Sequence, residues 1–372
     1  MDRHSLRKSL FALGGIFLSS TASAADLTWN EFGSAYYGQA LNSNLLPFDF
    51  TSAHHPDFTD FSLFGLNVNT KIDDHWSAGA QLVALGDHTA AANSSNNSFN
   101  LQAAWASITY KMDNGFVFKI GRQRFPVFTA SEFAYEHQQL PFREIPANVF
   151  QMAPFVAFDG AAASQTFGVG DGKLNIQIYG GTPVLAIIPP TGGNTVLSLS
   201  NLVGVRVNYE IGSGLKIRVN VARASVQSTT NTASAYADSE FFSGGYRYDS
   251  GNFVSWAEVL YRRSGDGTPQ VVQGTHTSFL REGKSGYALA GYRLGDWMPR
   301  YTFSVATADL GTIGEGHTTI HTFGVNYAVN PKVTVKGEWE YDVVPNNGGG
   351  YKTTGTGGTS GSAIYAGIDF EI

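Results

Sequence analysis

GFVFKIGRQRFPVFTASEFAYEHQQLPFREIPANVFQ, residues 115–151, is the segment of this chain that departs most from its surroundings. It begins as an alternating strand and breaks at Pro126, after which prolines recur at positions 141 and 146. Proline has no N–H to give to a strand ladder, so a long, stiff loop is predicted over about residues 126–155. The loop carries charges of both signs, which indicates that it faces water.

Short strands with period-two alternation lie on both sides of this loop. In one of them, apolar residues on one face oppose charged or polar residues on the other: Leu215, Ile217, Val219 and Val221 against Lys216, Arg218 and Asn220. In another, the two opposing sets are Val333, Val335, Trp339 and Tyr341 against Lys332, Thr334, Lys336, Glu338 and Glu340. Successive side chains of a strand point to opposite faces. A packed core does not accept unpaired charges, whereas a water-filled lumen does. A solvent-exposed sheet face explains any single strand equally well, but the repetition over many hairpins favours a lumen.

Tight turns separate the strands at regular intervals. Clusters rich in Asp, Asn and Gly lie near residues 73–75, 113–115, 170–172, 212–214, 250–252, 295–297 and 330–331. Longer polar segments alternate with them, at residues 87–98, 227–239, 264–284 and 344–361. Short turns alternating with long loops are typical of outer-membrane barrels, and about sixteen strands can be counted. The second is predicted near Phe58–Ile72, with a slip in its alternation at Leu63-Phe64. The predicted fold class is all-β, a transmembrane antiparallel β-barrel wide enough for an aqueous channel.

Aromatic residues cluster beside the short turns. They are Tyr110, Phe116, Tyr209, Tyr248, Phe253, Tyr292, Trp297 and Tyr327. Amphipathic rings settle at the headgroup level of a membrane, so the cluster is predicted to form a girdle at one interface. The ordinary preference of aromatic residues for strands is the alternative explanation.

The N-terminus and the composition further limit the classes of protein to which this chain can belong. Three basic residues precede an apolar run at 10–18, and Ala22-Ser23-Ala24 is a small-residue cleavage site, so residues 1–24 are predicted to be a signal peptide and residues 25–372 the barrel. The chain has no cysteine and a formal net charge of −6. Thiol chemistry and nucleic-acid binding, which needs a basic stripe, are therefore not expected. The sequence predicts neither a metal nor a cofactor.

In layout the chain resembles the sixteen-stranded general porins of Gram-negative bacteria, whose third loop also follows the fifth strand. A motif of a family of bacterial porin-like proteins is similar to Gly121-Arg122, Pro126, Ser131-Glu132, Pro141-Phe142-Arg143, Pro146 and Val149-Phe150. The last strand, ending in Phe370 and Ile372, resembles an outer-membrane insertion signal, although that signal usually ends in an aromatic residue. The resemblance implies a homotrimer in the outer membrane, in contact with lipid and lipopolysaccharide. It also implies a water-filled channel for small hydrophilic solutes and ions, with the third loop folded inward.

Loop and wall charges are predicted to meet at the narrowest section. The loop contributes Glu132, Glu136, Arg143 and Glu144, and the wall contributes Lys119, Arg122, Arg124, Arg206 and Arg218. Opposed acidic and basic groups set up a transverse field and bias ion selectivity, but the mixture of signs indicates no clear preference. Arg122 and Arg124 have the strand parity of the outward-facing Phe118 and Ile120, so a bulge is needed to turn them inward.

Other function classes remain open. A substrate-selective channel is a variant of the same architecture. A barrel enzyme would need a nucleophile or acid beside a histidine such as His137, His276, His317 or His321, and none of these lies in a recognisable catalytic motif. No catalytic residue is therefore predicted. A secreted soluble β-protein, such as a carbohydrate binder, would differ by extracting without detergent.

Overall fold

The computed structural model describes residues 26–42, 45, 47, 50, 54, 56–58, 62–86, 99–150, 152–153, 155–185, 196–212, 214–229, 234–264, 282–309, 315–344 and 359–372. The predicted signal peptide, the predicted loop at 87–98 and most of those at 264–284 and 344–361 lie outside these residues. Within them, no helix is long and apolar enough to cross a membrane.

Sixteen antiparallel strands in the described part of the chain form one closed barrel, each paired with its neighbours in sequence. This confirms the predicted fold class. The strands are β1 (Asp26–Ala40), β2 (Leu63–Lys71), β3 (Trp76–Gly86), β4 (Phe99–Lys111), β5 (Val117–Arg124), β6 (Phe155–Val169), β7 (Gly172–Leu185), β8 (Val196–Ile211), β9 (Leu215–Thr229), β10 (Ser234–Ser250), β11 (Phe253–Ser264), β12 (Gly283–Tyr292), β13 (Trp297–Asp309), β14 (Glu315–Asn330), β15 (Val333–Val343) and β16 (Ser360–Glu371).

The last strand closes the barrel against the first. β16 pairs with β1 from Phe32↔Glu371 to Ala40↔Ala363. The ring of Phe370 lies over Gly33, where a β-carbon would come within 2.6 Å of the ring. Closure leaves no free sheet edge, which satisfies the backbone hydrogen bonds of every spanning strand.

Burial is inverted relative to a soluble protein. On β9, Ile217 and Val221 are 40% and 51% exposed on the outer face, whereas Arg218 is only 5% exposed on the inner face. On β15, Trp339 faces out and Lys336, at 1% exposure, faces in. The alternation predicted for these strands is therefore present, with the apolar set outside and the charged set inside the barrel.

The short turns and the aromatic residues lie at one end of the barrel. Gly251 and Gly295 both have φ of +63°, the left-handed conformation that tight turns assign to glycine. Beside these turns, Trp297 packs on Tyr327 with ring centroids 4.6 Å apart. Trp76 and Tyr110 make a similar pair at 4.7 Å.

Two predicted boundaries are wrong. The second strand starts at Leu63 rather than near Phe58, and its start coincides with the slip in alternation at Leu63-Phe64. The predicted loop at 227–239 is mostly strand, because β9 continues to Thr229 and β10 begins at Ser234. Polar residues here extend the hairpin because hydrogen bonding across the ladder does not require apolar side chains.

Candidate pore constriction

The loop between β5 and β6 lies inside the barrel. It contains two 3-10 turns, Thr129–Phe133 and His137–Gln139, and a short α-helix, Ala147–Phe150. Each of these elements is too short to be stable by itself. Side chains of the barrel wall hold the loop through three groups of contacts.

The first contact group ties Glu132 to the wall formed by β8, β9 and β10. Arg218 donates to the Glu132 carboxylate and, from Nη1, to the carbonyl of Phe128 at 2.7 Å. Arg247 Nη2 lies 3.2 Å from Glu132 Oε2, and Arg206 Nη1 lies 3.9 Å from Oε1. Burial alone would raise the pKa of Glu132, but the three guanidinium groups outweigh it and lower that pKa, so the carboxylate is ionised.

The second contact group ties Glu136 to the wall formed by β2, β3 and β5. Arg124 Nη2, at the end of β5, donates to Glu136 Oε1 over 2.6 Å. Gln81 Nε2 on β3 donates to the same oxygen at 2.8 Å, and Asn67 Nδ2 on β2 does so at 3.3 Å. Gln81 is fully buried, so its hydrogen bond fixes the loop rather than exchanging with solvent.

The third contact group fixes the second half of the loop against β13 to β16. Lys336 Nζ donates to the carbonyls of His137, Leu140 and Phe142 at 2.7–3.1 Å and lies 2.8 Å from Asp369 Oδ2. The same contact group also includes Glu338 of β15. Glu338 accepts the backbone N–H of Arg143 at 2.8 Å and a hydrogen bond from Arg300.

These contacts make the loop cross the lumen. Glu132 is bound on the β8–β10 side and Glu136 on the β2–β5 side, yet only four peptide steps separate them. Four steps span at most about 14 Å, so residues 133–136 bridge the barrel interior between the three arginines that bind Glu132 and the single arginine, Arg124, that binds Glu136. The loop therefore divides the lumen into a side facing β4–β9 and a side facing β11–β16.

The β11–β16 side is closed by packing. Phe142 makes edge contacts with Trp256 at 5.5 Å and Tyr287 at 5.8 Å between ring centroids. A gap between the loop and this wall, lined by residues that include Arg300 and Thr302, has a volume of about 20 Å³. That is room for about one water molecule, so this gap is too small for a larger solute.

The β4–β9 side keeps polar groups exposed to the lumen. Lys119 Nζ and Arg124 Cζ each lie 5.8 Å from the ring centroid of Trp105. Below them, a cavity of about 340 Å³ is lined by Trp105, Lys119 and the polar residues Thr28, Asn69, Ser77, Ser107 and Thr109. The cavity lies at the barrel end that carries the short turns.

A β-bulge turns Trp105 into the lumen. The register between β3 and β4 shifts at Gln81↔Trp105 and Leu82↔Ala103, which leaves Ala104 as the extra residue. A one-residue insertion exchanges the two faces of a strand. Trp105 therefore shares the inner face with Ser107 and Thr109.

The structure corrects the prediction for Arg122. It lies on the outer face with Ile120, and it makes a bidentate ion pair with Asp159 of β6 at 2.8 Å for both contacts. β5 stays in regular register with β6 through Arg122↔Asp159, so no bulge turns this side chain inward. Arg124 lies two residues beyond the last β4–β5 pair, Ala106↔Arg122, and its side chain reaches Glu136 in the lumen.

The other predicted residues are found in or behind the loop. Glu132, Glu136, Lys119, Arg124, Arg206 and Arg218 lie at the lumen side of the crossing segment. Arg143 is buried behind the loop beside Glu338, with its guanidinium 4.0 Å from the Tyr365 ring centroid, and Glu144 pairs with Arg143. Sequence reasoning missed Arg247, Arg300, Lys336, Glu338 and Asp369, although Lys336 and Glu338 belong to a strand whose charged face was recognised.

No group of three or more His, Asp or Glu side chains among the described residues is arranged to hold a metal ion. One cluster beside the loop contains serine, histidine and aspartate. Ser34 Oγ donates to Asp369 Oδ1 at 2.7 Å and lies 3.2 Å from His137 Nδ1. Since the serine proton goes to the aspartate, the serine can only accept from the histidine. This is the reverse of the hydrogen bond that activates a serine nucleophile.

Neither a protein-family model nor a curated protein matches the sequence. Solved structures with the same fold include OmpT of Vibrio cholerae in a trimer form, at TM-score 0.59 and 10% identity over 94% of this chain and 100% of that one. An anion-selective porin from Comamonas acidovorans matches at TM-score 0.60 and 12% identity, over 94% and 100% of the two chains. OmpF of Salmonella typhi in complex with daunomycin matches at TM-score 0.62 and 15% identity, over 93% of this chain and 97% of that one. The chain therefore has the fold of the sixteen-stranded porins.

Proposed function

We propose that this chain, which has the porin fold, forms a water-filled channel in the outer membrane of a Gram-negative bacterium and passes small hydrophilic solutes and ions by diffusion. The observation that carries the proposal is the third loop, which crosses the lumen between Glu132 and Glu136 and leaves charged side chains on one side of it. A loop that narrows a barrel without filling it sets a size limit and a charge filter.

The outer surface supports a membrane location. Large apolar side chains such as Ile120, Ile178 and Val203 are 58–64% exposed on the outward faces of their strands. Exposure of this kind over a closed barrel is costly in water and favourable in hydrocarbon. Lipid and lipopolysaccharide are then the immediate partners of this surface, and the predicted signal peptide supplies the export that such a location requires.

A homotrimer is part of the same proposal. One of the solved structures with this fold is described as a trimer form. The subunit stoichiometry of this chain is measured directly by comparing the mass of the detergent-solubilised complex before and after heating in sodium dodecyl sulfate.

An enzyme is the second candidate, because Ser34, His137 and Asp369 form a cluster inside the barrel. Their hydrogen bonds tie the loop to β1 and β16, and the serine is oriented as a donor to the carboxylate rather than as a nucleophile. We therefore assign the cluster to loop attachment and propose no catalysis.

Planar-bilayer recording of the detergent-purified protein tests the channel. Discrete steps of current, in groups of three if the trimer inserts as a unit, support it. Protein that migrates as a folded, heat-modifiable barrel and inserts without any conductance would overturn it. Retention of a serine-hydrolase probe that depends on Ser34 would favour the enzyme instead.

A further inference from the structure

We infer that the open side of the constriction is a binding track for small oxyanions, formed by Lys119, Arg124 and Arg206 around Trp105. The inference rests on the proposed channel and names the solute class of the same site. Carboxylates and phosphates are the chemistry that such donors recognise.

The charges on this side do not cancel. Five cations face it from β5, β8, β9 and β10: Lys119, Arg124, Arg206, Arg218 and Arg247. The loop supplies two carboxylates, Glu132 and Glu136. Glu258 of β11 accepts the Thr129 N–H at 2.7 Å behind the loop, and including it still leaves an excess of two positive charges.

The charges near the rim do not remove this excess. Glu210 forms an ion pair with Lys216, and Lys71 lies 2.7 Å from Asp74, so each of these pairs is neutral. Asp26 is at the edge of the cavity below Trp105. The excess therefore belongs to the narrow section rather than to the whole lumen.

The closed side of the loop provides the contrast. There Lys336 is matched by Asp369, and the two arginines beside Glu338 are shared between that residue and Glu144. The inner faces of β11 and β15 add Arg262, Glu340 and Asp342, so the described residues leave no positive excess on this side. The unbalanced cations therefore face the passage. Field lines concentrate in a narrow passage with low-dielectric walls, which raises the local concentration of counter-ions.

Individual donors on the open side lack acceptors. Among the described residues, Lys119 Nζ has no carboxylate within ion-pair distance. It lies over the ring of Trp105. In the part of the chain that the structure describes, Arg206 Nε and Trp105 Nε1 are buried and have no hydrogen-bond acceptor. Buried donors are usually satisfied, so these atoms are suited to a ligand oxygen.

The track continues toward the barrel end. Trp105 and Lys119 form the top of the cavity of about 340 Å³, whose hydroxyl and amide groups come from Thr28, Asn69 and Ser107 among others. An anion released from the lysine therefore meets weaker neutral donors before it leaves. A graded series of weak sites permits passage as well as recognition.

Two measurements test the inference. In a potassium chloride gradient, the zero-current potential is expected to have the sign of chloride permeation, with a Lys119→Gln variant lowering the chloride-to-potassium permeability ratio several-fold. Lys332→Gln removes one charge at an exposed turn and is expected to leave the ratio unchanged. Addition of inorganic phosphate or acetate should reduce the chloride current more than nitrate does, and comparison of the two distinguishes phosphate from carboxylate preference.

A second readout does not depend on conductance. Inorganic phosphate added to the folded protein in detergent should change tryptophan fluorescence, and the change should be lost in Trp105→Phe and weakened in Lys119→Gln. A conducting channel that prefers potassium, or a Lys119→Gln effect no larger than that of Lys332→Gln, overturns the anion track but not the channel. A silent barrel whose fluorescence still responds to phosphate overturns the channel but not the binding site. Absence of any fluorescence response contradicts the binding site.

Discussion

Removal of one carboxylate should release the first half of the constriction loop. Glu132→Gln deletes the counter-charge of Arg218, Arg247 and Arg206 while keeping the size and one acceptor oxygen of the side chain. Breaking a buried ion pair costs about 3–5 kcal/mol. The Glu132 side chain is 38% exposed, so water screens part of the interaction. We therefore expect the substitution to weaken docking of the loop by about 2 kcal/mol. That corresponds to about a thirtyfold shift in the ratio of docked to undocked loop.

The absence of cysteine makes the measurement clean, because two introduced cysteines are the only labelling sites. Nitroxide labels at Ala134→Cys in the loop and Asn114→Cys in a short turn report the distance between loop and barrel by pulsed electron resonance. The parent protein should give one narrow distance distribution, and Glu132→Gln should add a broad second population. Glu210→Gln, which breaks the pair with Lys216 at the rim, is the matched control. An unchanged distribution in Glu132→Gln would refute the role of this contact group.

Three further predictions concern the strand wall and the loop. Gly121 has φ of +121°, so Gly121→Ala should destabilise the folded barrel by about 1–3 kcal/mol in a heat-modifiability assay, whereas Gly168→Ala, at a position where a β-carbon meets nothing within 4 Å, should not. Arg122→Gln should lower the thermal midpoint without changing ion selectivity, because its pair with Asp159 is on the outer face; a changed permeability ratio would contradict that placement. Burial lowers the pKa of His137 from 6.5 to about 4, so loop attachment should be strongest above pH 6.5 and weaken by up to about 3 kcal/mol as pH falls to 4. His137→Gln should flatten that pH dependence in the same label distances.

The strand pattern was predictable because each rule that governs it is local. Period-two alternation gives the inner and outer faces of β9 and β15, and turn residues such as Gly251 give the short connections. The start of β2 and the extent of the β9–β10 hairpin were not predictable, because polar residues carry no signal that separates a strand from a loop. Inward folding of the third loop came from its length, its prolines and the resemblance to porins.

The partners within the site could not be predicted to the same degree. Glu132 and Glu136 stand out in sequence, but their binding to two different parts of the wall depends on how the loop crosses a barrel of this width. Arg122 and Arg124 have the same parity, yet Arg122 pairs with Asp159 on the outer face and Arg124 with Glu136 in the lumen. Trp105 faces the lumen because of a one-residue bulge that leaves no mark in composition.

The central claim is that solutes pass on the β4–β9 side of the loop and not on the β11–β16 side. It is tested by introducing single cysteines at Lys119 and at the buried Thr302, which lies behind the loop. A negatively charged methanethiosulfonate reagent applied to the open channel should reduce the current in steps for Lys119→Cys and leave Thr302→Cys unaffected. A stepwise block of Thr302→Cys with no effect on Lys119→Cys would place the passage on the other side and contradict the account.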